Sequence, residues 1–134
     1  MNSSLLLTGA AGYIGSHVAA QARAAGYGLV LVDNLVNSDL SVVDQLAFIA
    51  GGIKPDFYAL DIRNQVEMKK LVQRYAPAAV FHFAALKSVP QSIEHPLEYY
   101  DNNVGGLISL LASLPEVNPP PVIYSSSAAV YQSR

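Results

Sequence analysis

Apolar runs and amphipathic segments alternate along the chain. Short runs rich in Leu, Val, Phe and Ala fall at about 4–8, 28–33, 56–61 and 78–85, and a fifth begins at residue 122. After each of the first four, apolar residues recur every three or four positions, which is the spacing of a helix. Strict alternation of strands and helices, with right-handed crossovers, predicts an α/β fold with a doubly wound parallel sheet of five strands in the order 3-2-1-4-5.

The helices are predicted at about 14–25, 41–50, 65–76 and 96–114. One face of the first helix is expected to carry Ile14, Val18, Ala22 and Ala25. In the long last helix the residues with the spacing of a core-facing stripe are Val104, Leu107, Ile108 and Leu111. Both stripes would pack against the sheet, since an amphipathic helix buries its apolar face.

Glycines interrupt the chain between the first predicted strand and the first predicted helix, at Gly9, Gly12 and Gly15. Such a turn lets backbone N–H groups approach the pyrophosphate of a dinucleotide at a helix N-terminus, which is typical of a Rossmann-type domain. The spacing here is G-x-x-G-x-x-G rather than G-x-G-x-x-G. An ordinary strand-to-helix turn is the alternative interpretation of the glycines alone.

An acidic residue, Asp33, ends the second predicted strand, near the offset at which a carboxylate binds the adenosine ribose of a dinucleotide. A carboxylate there repels the 2′-phosphate of NADP, and its neighbour is Asn34 rather than an arginine. The sequence therefore favours NAD over NADP, with a solvated strand end as the alternative. Asp61, Ala84 and Ser127 follow other strands and are expected at the same edge of the sheet.

Composition narrows the class of protein. The 134 residues are 51% hydrophobic and only 13% charged, which fits one domain with a sheet covered on both faces. The net charge is -2 without a basic cluster, so neither nucleic acid nor an anionic membrane surface is an expected partner. No apolar run approaches the roughly 18 residues of a membrane span, and a cytoplasmic protein is expected.

Metal and thiol chemistry are not predicted. The chain has no cysteine, which excludes a disulfide scaffold, thiol catalysis and thiolate metal sites. Its histidines, His17, His82 and His95, lack a spacing at which two could share a metal, and we interpret all three as structural.

Six motifs occur in order along the chain: TGAAGYIGSH, DNLVNS, DIRN, HFAALKSV, PLEYYDNNV and SSSAAVY. Together they resemble the UDP-glucose 4-epimerases of the extended short-chain dehydrogenase/reductase family, from about Leu5 to Tyr131. The resemblance implies a role in galactose metabolism. A tightly held NAD would take hydride from C4 of a UDP-hexose, leave a 4-keto intermediate and return hydride to the opposite face.

The resemblance also implies roles for individual residues. The expected contacts of the glycine turn with the cofactor are Gly9, Gly12, Tyr13, Ile14 and Gly15. The expected adenosine ribose loop is Asp33, Asn34, Leu35, Asn37 and Ser38, and Asp61 with Ile62 resembles the pair beside the adenine. The segment expected along the pyrophosphate and nicotinamide ribose is Phe83, Ala84, Ala85 and Lys87. Asn102 resembles a cofactor or structural hydrogen-bonding residue, and Lys87 has a surface charge as its alternative.

Ser127 resembles the catalytic serine whose hydroxyl binds the reacting oxygen of the sugar. The family also uses a tyrosine base followed four residues later by a lysine, and none of the eight tyrosines here has that neighbour. The resemblance implies that this pair, a sixth strand and the substrate domain lie downstream. We therefore expect residues 1–134 to form an incomplete NAD-binding domain that is inactive alone and self-associates as a dimer, through the edge of the fifth strand or the long helix. The alternatives are a non-catalytic NAD-binding or regulatory module and a remnant that neither binds nor catalyses.

Overall fold

Residues 3–49 and 52–127 are described by the computed structural model, and they form a parallel sheet flanked by helices. The strands are β1 Ser4–Thr8, β2 Gly28–Asp33, β3 Asp56–Ala59, β4 Ala79–His82 and β5 Val122–Tyr124. The helices are α1 Tyr13–Ala24, α2 Ser41–Ile49, α3 Gln65–Tyr75, α4 Val89–Glu94, α5 Pro96–Tyr100 and α6 Gly106–Ser113, with a π-helical turn at Asp101–Gly105 joining α5 to α6. The strand order is β3-β2-β1-β4-β5, which confirms the predicted Rossmann-type topology.

β1 lies at the centre of the sheet, and its two faces pack into two separate core layers. Leu6 lies opposite Val30 of β2 and Val80 of β4. Side chains alternate between the faces of a strand, so Leu6 packs towards α3 and α6, whereas its neighbours Leu5 and Leu7 pack towards α1. Because both faces are covered, these strands are continuous apolar runs rather than alternating ones.

Three strands are shorter than predicted, because the chain leaves the sheet to build loops at its carboxyl edge. β3 ends at Ala59, β4 at His82 and β5 at Tyr124. At β4 the last backbone contact to β1 is the amide of Phe83, which donates to the carbonyl of Thr8 at 2.9 Å. The segments predicted as strand ends therefore form loops at the edge where the site lies.

The buried face of the long helix differs from the predicted one. Val104 and Ile108 are exposed, with 49% and 62% of their surface accessible, whereas Asn102, Gly106 and Leu110 are buried. A Cβ on Gly106 would lie 2.7 Å from Cδ1 of Ile62, so a side chain here would have to displace the end of that isoleucine. Leu107, Ile108 and Leu111 all lie in the regular helix α6, which docks on the sheet through its other face, with Gly106 and Leu110. Leu107 is half-buried and Leu111 is 48% exposed, so the predicted core stripe was wrong at three of its four residues.

The first helix also packs through smaller residues than predicted. Gly15 and Ala19 are its buried residues, whereas Ile14 is 46% exposed. Val18 and Ala22 are partly buried against the core, as expected, but Ala25 is exposed. A side chain on Gly15 would overlap the carbonyl oxygen of Gly9, so only glycine allows this helix to start so close to the turn.

One helix, α4, was not predicted. Ser88 caps it by accepting a hydrogen bond from the amide of Gln91 at 3.5 Å, and Pro90 lies in its first turn. A serine N-cap and a proline in the first turn are standard signals of a helix start. The segment is short and has few apolar residues, so its sequence shows no helical periodicity. Within the described residues, no helix has the length and apolar character needed to cross a membrane.

Candidate cofactor site

The glycine turn is packed against the end of β4. Gly9 has a positive φ of 66°, and a Cβ placed on it would lie 2.5 Å from the amide nitrogen of Ala84 and 2.6 Å from the carbonyl carbon of Phe83. A Cβ on Gly12 would meet the carbonyl oxygen of Gly9 at 3.3 Å. The lack of a side chain at Gly9 and Gly12 is therefore required by close backbone contacts within the protein, whether or not a ligand binds.

The turn opens directly into the N-terminus of α1. Gly12 is the N-cap residue and has no side chain with which to cap the helix. Its carbonyl accepts from the amide of Ser16 at 2.9 Å, so the amides of Tyr13 and Ile14 precede the first helical hydrogen bond. Such amides, together with the helix dipole, favour an anion at this end of the helix.

Asp33, at the end of β2, ties the glycine turn to the loop that follows it. Its Oδ2 accepts from the amide of Ala11 at 3.0 Å, and its Oδ1 accepts from the amide of Leu35 at 2.8 Å and from Oγ of Ser38 at 2.7 Å. The residue is only 8% exposed. Leu35 has a positive φ of 61°, so the carboxylate holds a backbone conformation that non-glycine residues rarely adopt.

A second carboxylate, Asp61, follows β3 and is held by an arginine. Arg63 donates through Nη2 to Oδ2 of Asp61 at 2.7 Å and through Nε to Oδ1 at 2.9 Å. Nδ2 of Asn34 also donates to Oδ2, at 3.2 Å. The hydrogen bonds from Arg63, more than any other contact, lower the pKa of Asp61 to about 2. Asp61 is therefore ionised and fixed in orientation beside the loop after β2.

Two adjoining crevices, of about 460 and 420 Å³, run along the carboxyl edge of the sheet. The predicted residues that line the first are Gly9, Gly12, Tyr13, Asp33, Asn34, Asn37, Ser38, Ile62, Phe83, Ala84, Ala85, Lys87 and Asn102. The second shares the turn and the segment after β4 with the first, and adds Ile14, Gly15 and Ser127. Leu35 and Asp61 line neither crevice, but each contacts a residue that does. The amide of Leu35 donates to Asp33, and Asp61 accepts a hydrogen bond from Asn34.

Other lining residues escaped the sequence analysis. In the first crevice they include Val36, Leu60, Leu86, Ser88 and Gln91, and in the second they include Tyr99, Asn103 and Tyr124. The Ser88 and Pro90 pattern could have revealed α4, and with it Ser88 and Gln91. Nothing local distinguishes Asn103, because its place depends on the π-helical turn.

His82 lies in the core beside this edge. Its Nδ1 is 2.7 Å from Oγ1 of Thr8, its register partner on β1, and its ring stacks on Tyr124. Burial lowers the pKa of this histidine, which favours the neutral ring. His17 contacts the carbonyl of Tyr13 at 2.7 Å. In the part of the chain that the structure describes, no three His, Asp or Glu side chains cluster closely enough to hold a metal ion.

The comparison with protein families identifies this architecture. The model of the NAD dependent epimerase/dehydratase family matches residues 5–134. The chain belongs to this family. NAD is the cofactor that the family description names, in agreement with the cofactor predicted from the glycine turn and Asp33.

Curated relatives and solved structures point to one branch of the family. The chain is 43% identical over 130 residues to a UDP-glucose 4-epimerase of Klebsiella pneumoniae, covering 95% of this chain and 91% of that sequence. It is 44% identical over 128 residues to the UDP-glucose 4-epimerase of Yersinia enterocolitica, covering 96% of this chain and 38% of the relative. A UDP-glucose-4-epimerase structure from Stenotrophomonas maltophila, with bound NAD and formylated UDP-arabinopyranose, superposes with a TM-score of 0.93 and 44% identity, covering 99% of this chain and 39% of that one. The chain thus spans well under half of the Yersinia enzyme and of this solved structure.

Proposed function

We propose that this chain is the NAD-binding part of a UDP-glucose 4-epimerase, with UDP-hexoses as the substrates of the whole enzyme. The observation that carries the proposal is the joint position of Asp33 and the open N-terminus of α1 along one continuous crevice. Relatives named UDP-glucose 4-epimerase, matched along nearly the whole of this chain, support it.

We also propose that the protein is cytoplasmic, which cell fractionation tests.

The residues fit a dinucleotide. The amides of Tyr13 and Ile14, uncapped by Gly12, suit the pyrophosphate. A carboxylate has about four acceptor positions, and the structure occupies three of those on Asp33, which leaves one for a ribose hydroxyl. Asn34, Asn37 and Ser38 would complete the adenosine ribose loop, and Ile62 would lie beside the adenine. The segment from Phe83 to Lys87 would follow the pyrophosphate and the nicotinamide ribose.

Cofactor preference tests this assignment. Calorimetric titration of the 134-residue chain should show tighter binding of NAD than of NADP, because Asp33 repels a 2′-phosphate. Asp33→Ala should weaken the binding of NAD and narrow the preference for NAD over NADP, since it removes a hydrogen-bond acceptor and a negative charge together. Asp44→Ala is the matched control, because Asp44 is an exposed carboxylate of α2 that lines neither crevice. Equal affinity of the unmodified chain for NAD and NADP would contradict the proposal.

Ser127 lines the second crevice and is exposed. Its hydroxyl is suited to donate a hydrogen bond to the reacting oxygen of a sugar, whereas a serine is a weak base at neutral pH. The bound NAD would supply the acceptor and the donor of hydride. Residues 128–131, the rest of the motif that contains Ser127, lie outside the described residues.

Turnover by these 134 residues should be far below that of ordinary enzymes. No tyrosine in the sequence is followed four residues later by a lysine, and loss of a general base typically costs about 10²- to 10⁴-fold. A coupled assay that follows UDP-glucose formation from UDP-galactose measures this. Turnover at an ordinary rate, abolished by Ser127→Ala, would show that the chain contains a base that we have not identified.

We also propose that the chain self-associates through the outer face of the long helix. Exposed apolar residues follow one another there at intervals of three or four, namely Leu97, Tyr100, Val104, Ile108 and Leu111. An apolar stripe of this length is typical of a face that packs on another helix. Sedimentation should show a dimer that Ile108→Glu dissociates, whereas the control Val66→Glu, at an exposed site on α3, should not. A monomer at high concentration would rule the interface out.

A further inference from the structure

Consecutive side chains of the π-helical turn at Asp101–Gly105 have different surroundings: Asp101 contacts Arg63 and lines neither crevice, whereas Asn102 lines the first crevice and Asn103 the second. Oδ2 of Asp101 accepts from Nη1 of Arg63 at 2.6 Å, on the side of β3. Asn102 is buried and lines the first crevice. Asn103 lines the second crevice and contacts the segment after β4. Although they line different crevices, Asn102 and Asn103 contact each other through their carboxamides.

The carboxamide of Asn103 pairs with the backbone of Leu86. Its Oδ1 accepts from the amide of Leu86 at 2.8 Å, and its Nδ2 donates to the carbonyl of Leu86 at 2.9 Å. The same Oδ1 accepts from Nδ2 of Asn102 at 2.9 Å. The side chain thus completes both backbone hydrogen bonds of one residue, as a neighbouring strand would do.

Leu86 needs such a partner because it lies beyond the sheet. β4 ends at His82, and the last ladder contact is made by Phe83. The residues on either side of Leu86 are Ala85 and Lys87, and all three line both crevices. Asn103 therefore holds the strip of backbone where the two crevices join.

We propose that Asn103 is a positioning residue for the dinucleotide. It fixes the backbone around Leu86 and orients the carboxamide of Asn102 in the first crevice, by occupying its Nδ2 and leaving its Oδ1 for a hydroxyl or amide donor of the ligand. The adenosine end of the first crevice, at Asp33, has its own hydrogen bonds and does not depend on Asn103. The proposal rests on NAD binding as proposed above.

The first measurement needs no ligand. Amide hydrogen exchange at Leu86, followed by NMR in the 134-residue chain, should be faster by about tenfold or more in Asn103→Ala than in the unmodified chain, because the acceptor of that amide is removed. Gln65→Ala is the matched control, since Gln65 is another carboxamide that donates to a distant carbonyl, that of Ala112 at 3.2 Å, and lines neither crevice. Unchanged exchange at Leu86 in Asn103→Ala would overturn the proposal.

The second measurement compares two ligands by calorimetry. Asn103→Ala should raise the Kd of NAD by about tenfold while changing the Kd of AMP by about twofold or less, because only NAD spans the junction of the crevices. A purely structural role would weaken both ligands equally, together with a lower Tm, and would refute the positioning role. Asn103→Ser is neutral and too short to pair with both backbone groups of Leu86, so it should speed exchange at the Leu86 amide and raise the Kd of NAD without adding a charge beside the pyrophosphate. If Asn103→Ala does not fold, this variant decides.

The two proposals fail differently. If the unmodified chain binds neither NAD nor AMP, the proposed function is wrong and the positioning role falls with it, whereas exchange at Leu86 still shows whether Asn103 holds that backbone. If the unmodified chain binds NAD and both Asn103 variants bind it equally well, the proposed function stands and the positioning role is wrong.

Discussion

The two ends of the crevice are built with very different amounts of internal support. The adenosine side comprises β1, β2, β3 and the loop 33–38. Its strand β2 is buried from Leu29 to Asp33. The serine side, which comprises β4, β5 and the segment 125–127, ends in a short strand whose Ile123 and Tyr124 are 41% and 52% exposed. Both exposed fractions refer to the part of the chain that the structure describes.

Hydrogen bonding follows the same division. On the adenosine side, the carboxylate of Asp33 holds two backbone amides and a hydroxyl. On the serine side, the amide of Ser125 donates to the carbonyl of His82 at 3.2 Å, a longer contact than those of Asp33. A site that is held by its own contacts binds without a large ordering cost. We therefore expect the adenosine side to be preorganised and the serine side to gain order when something covers it.

The largest expected effect comes from breaking the contact between the two sides. Gly9→Ala should lower the free energy of unfolding by about 4 kcal/mol, because it adds backbone strain and a clash with Phe83 and Ala84 at the end of β4. Gly26→Ala is the control: its φ is also positive, at 89°, but nothing lies within 4 Å of the added Cβ, so about 1 kcal/mol is expected. Urea denaturation measures both. Equal losses would show that strain alone matters at Gly9.

A smaller effect compares the strands directly. Leu31→Ala, at a fully buried position of β2, should cost about 3 kcal/mol. Ile123→Ala on β5 should cost about 1 kcal/mol, because this side chain is already 41% exposed. The same denaturation experiment provides both values. If Ile123→Ala costs as much as Leu31→Ala, the exposed face of β5 is covered in solution, and a concentration dependence of the transition would identify a second copy as the cover.

The smallest expected effect is a pH dependence at Asp61. Its pKa in the folded chain, about 2, lies below the ordinary 3.8, so its contribution to stability is present above about pH 4 and is lost as the pH falls towards 2. Because the pair with Arg63 is partly exposed, the contribution is below about 1 kcal/mol. The stability difference between the unmodified chain and Arg63→Gln, measured by urea denaturation, should therefore shrink between pH 5 and pH 2. Lys54→Gln removes the same charge at the exposed pair with Asp44 and is the control. A difference that stays constant with pH would contradict the assignment.

Local patterns were sufficient to predict the strand order and to single out Gly9 and Asp33. β1 and β2 have the predicted bounds, since a strand buried on both faces appears as an uninterrupted apolar run. Gly9 and Asp33 were identified because each lies at a fixed distance from a strand end, and the structure brings both to the first crevice. The family resemblance added residues, such as Asn37 and Ile62, that spacing alone does not distinguish.

Tertiary packing decided the rest. The buried face of the long helix contains Asn102 and Gly106 rather than the more apolar Val104 and Ile108, because at Gly106 the helix approaches Ile62 closely. Asn103 meets Leu86 across 17 residues of sequence. Hydrophobic periodicity predicts the local secondary structure of a segment. The contacts of Gly106 and Asn103 form only after the helix has docked on the sheet.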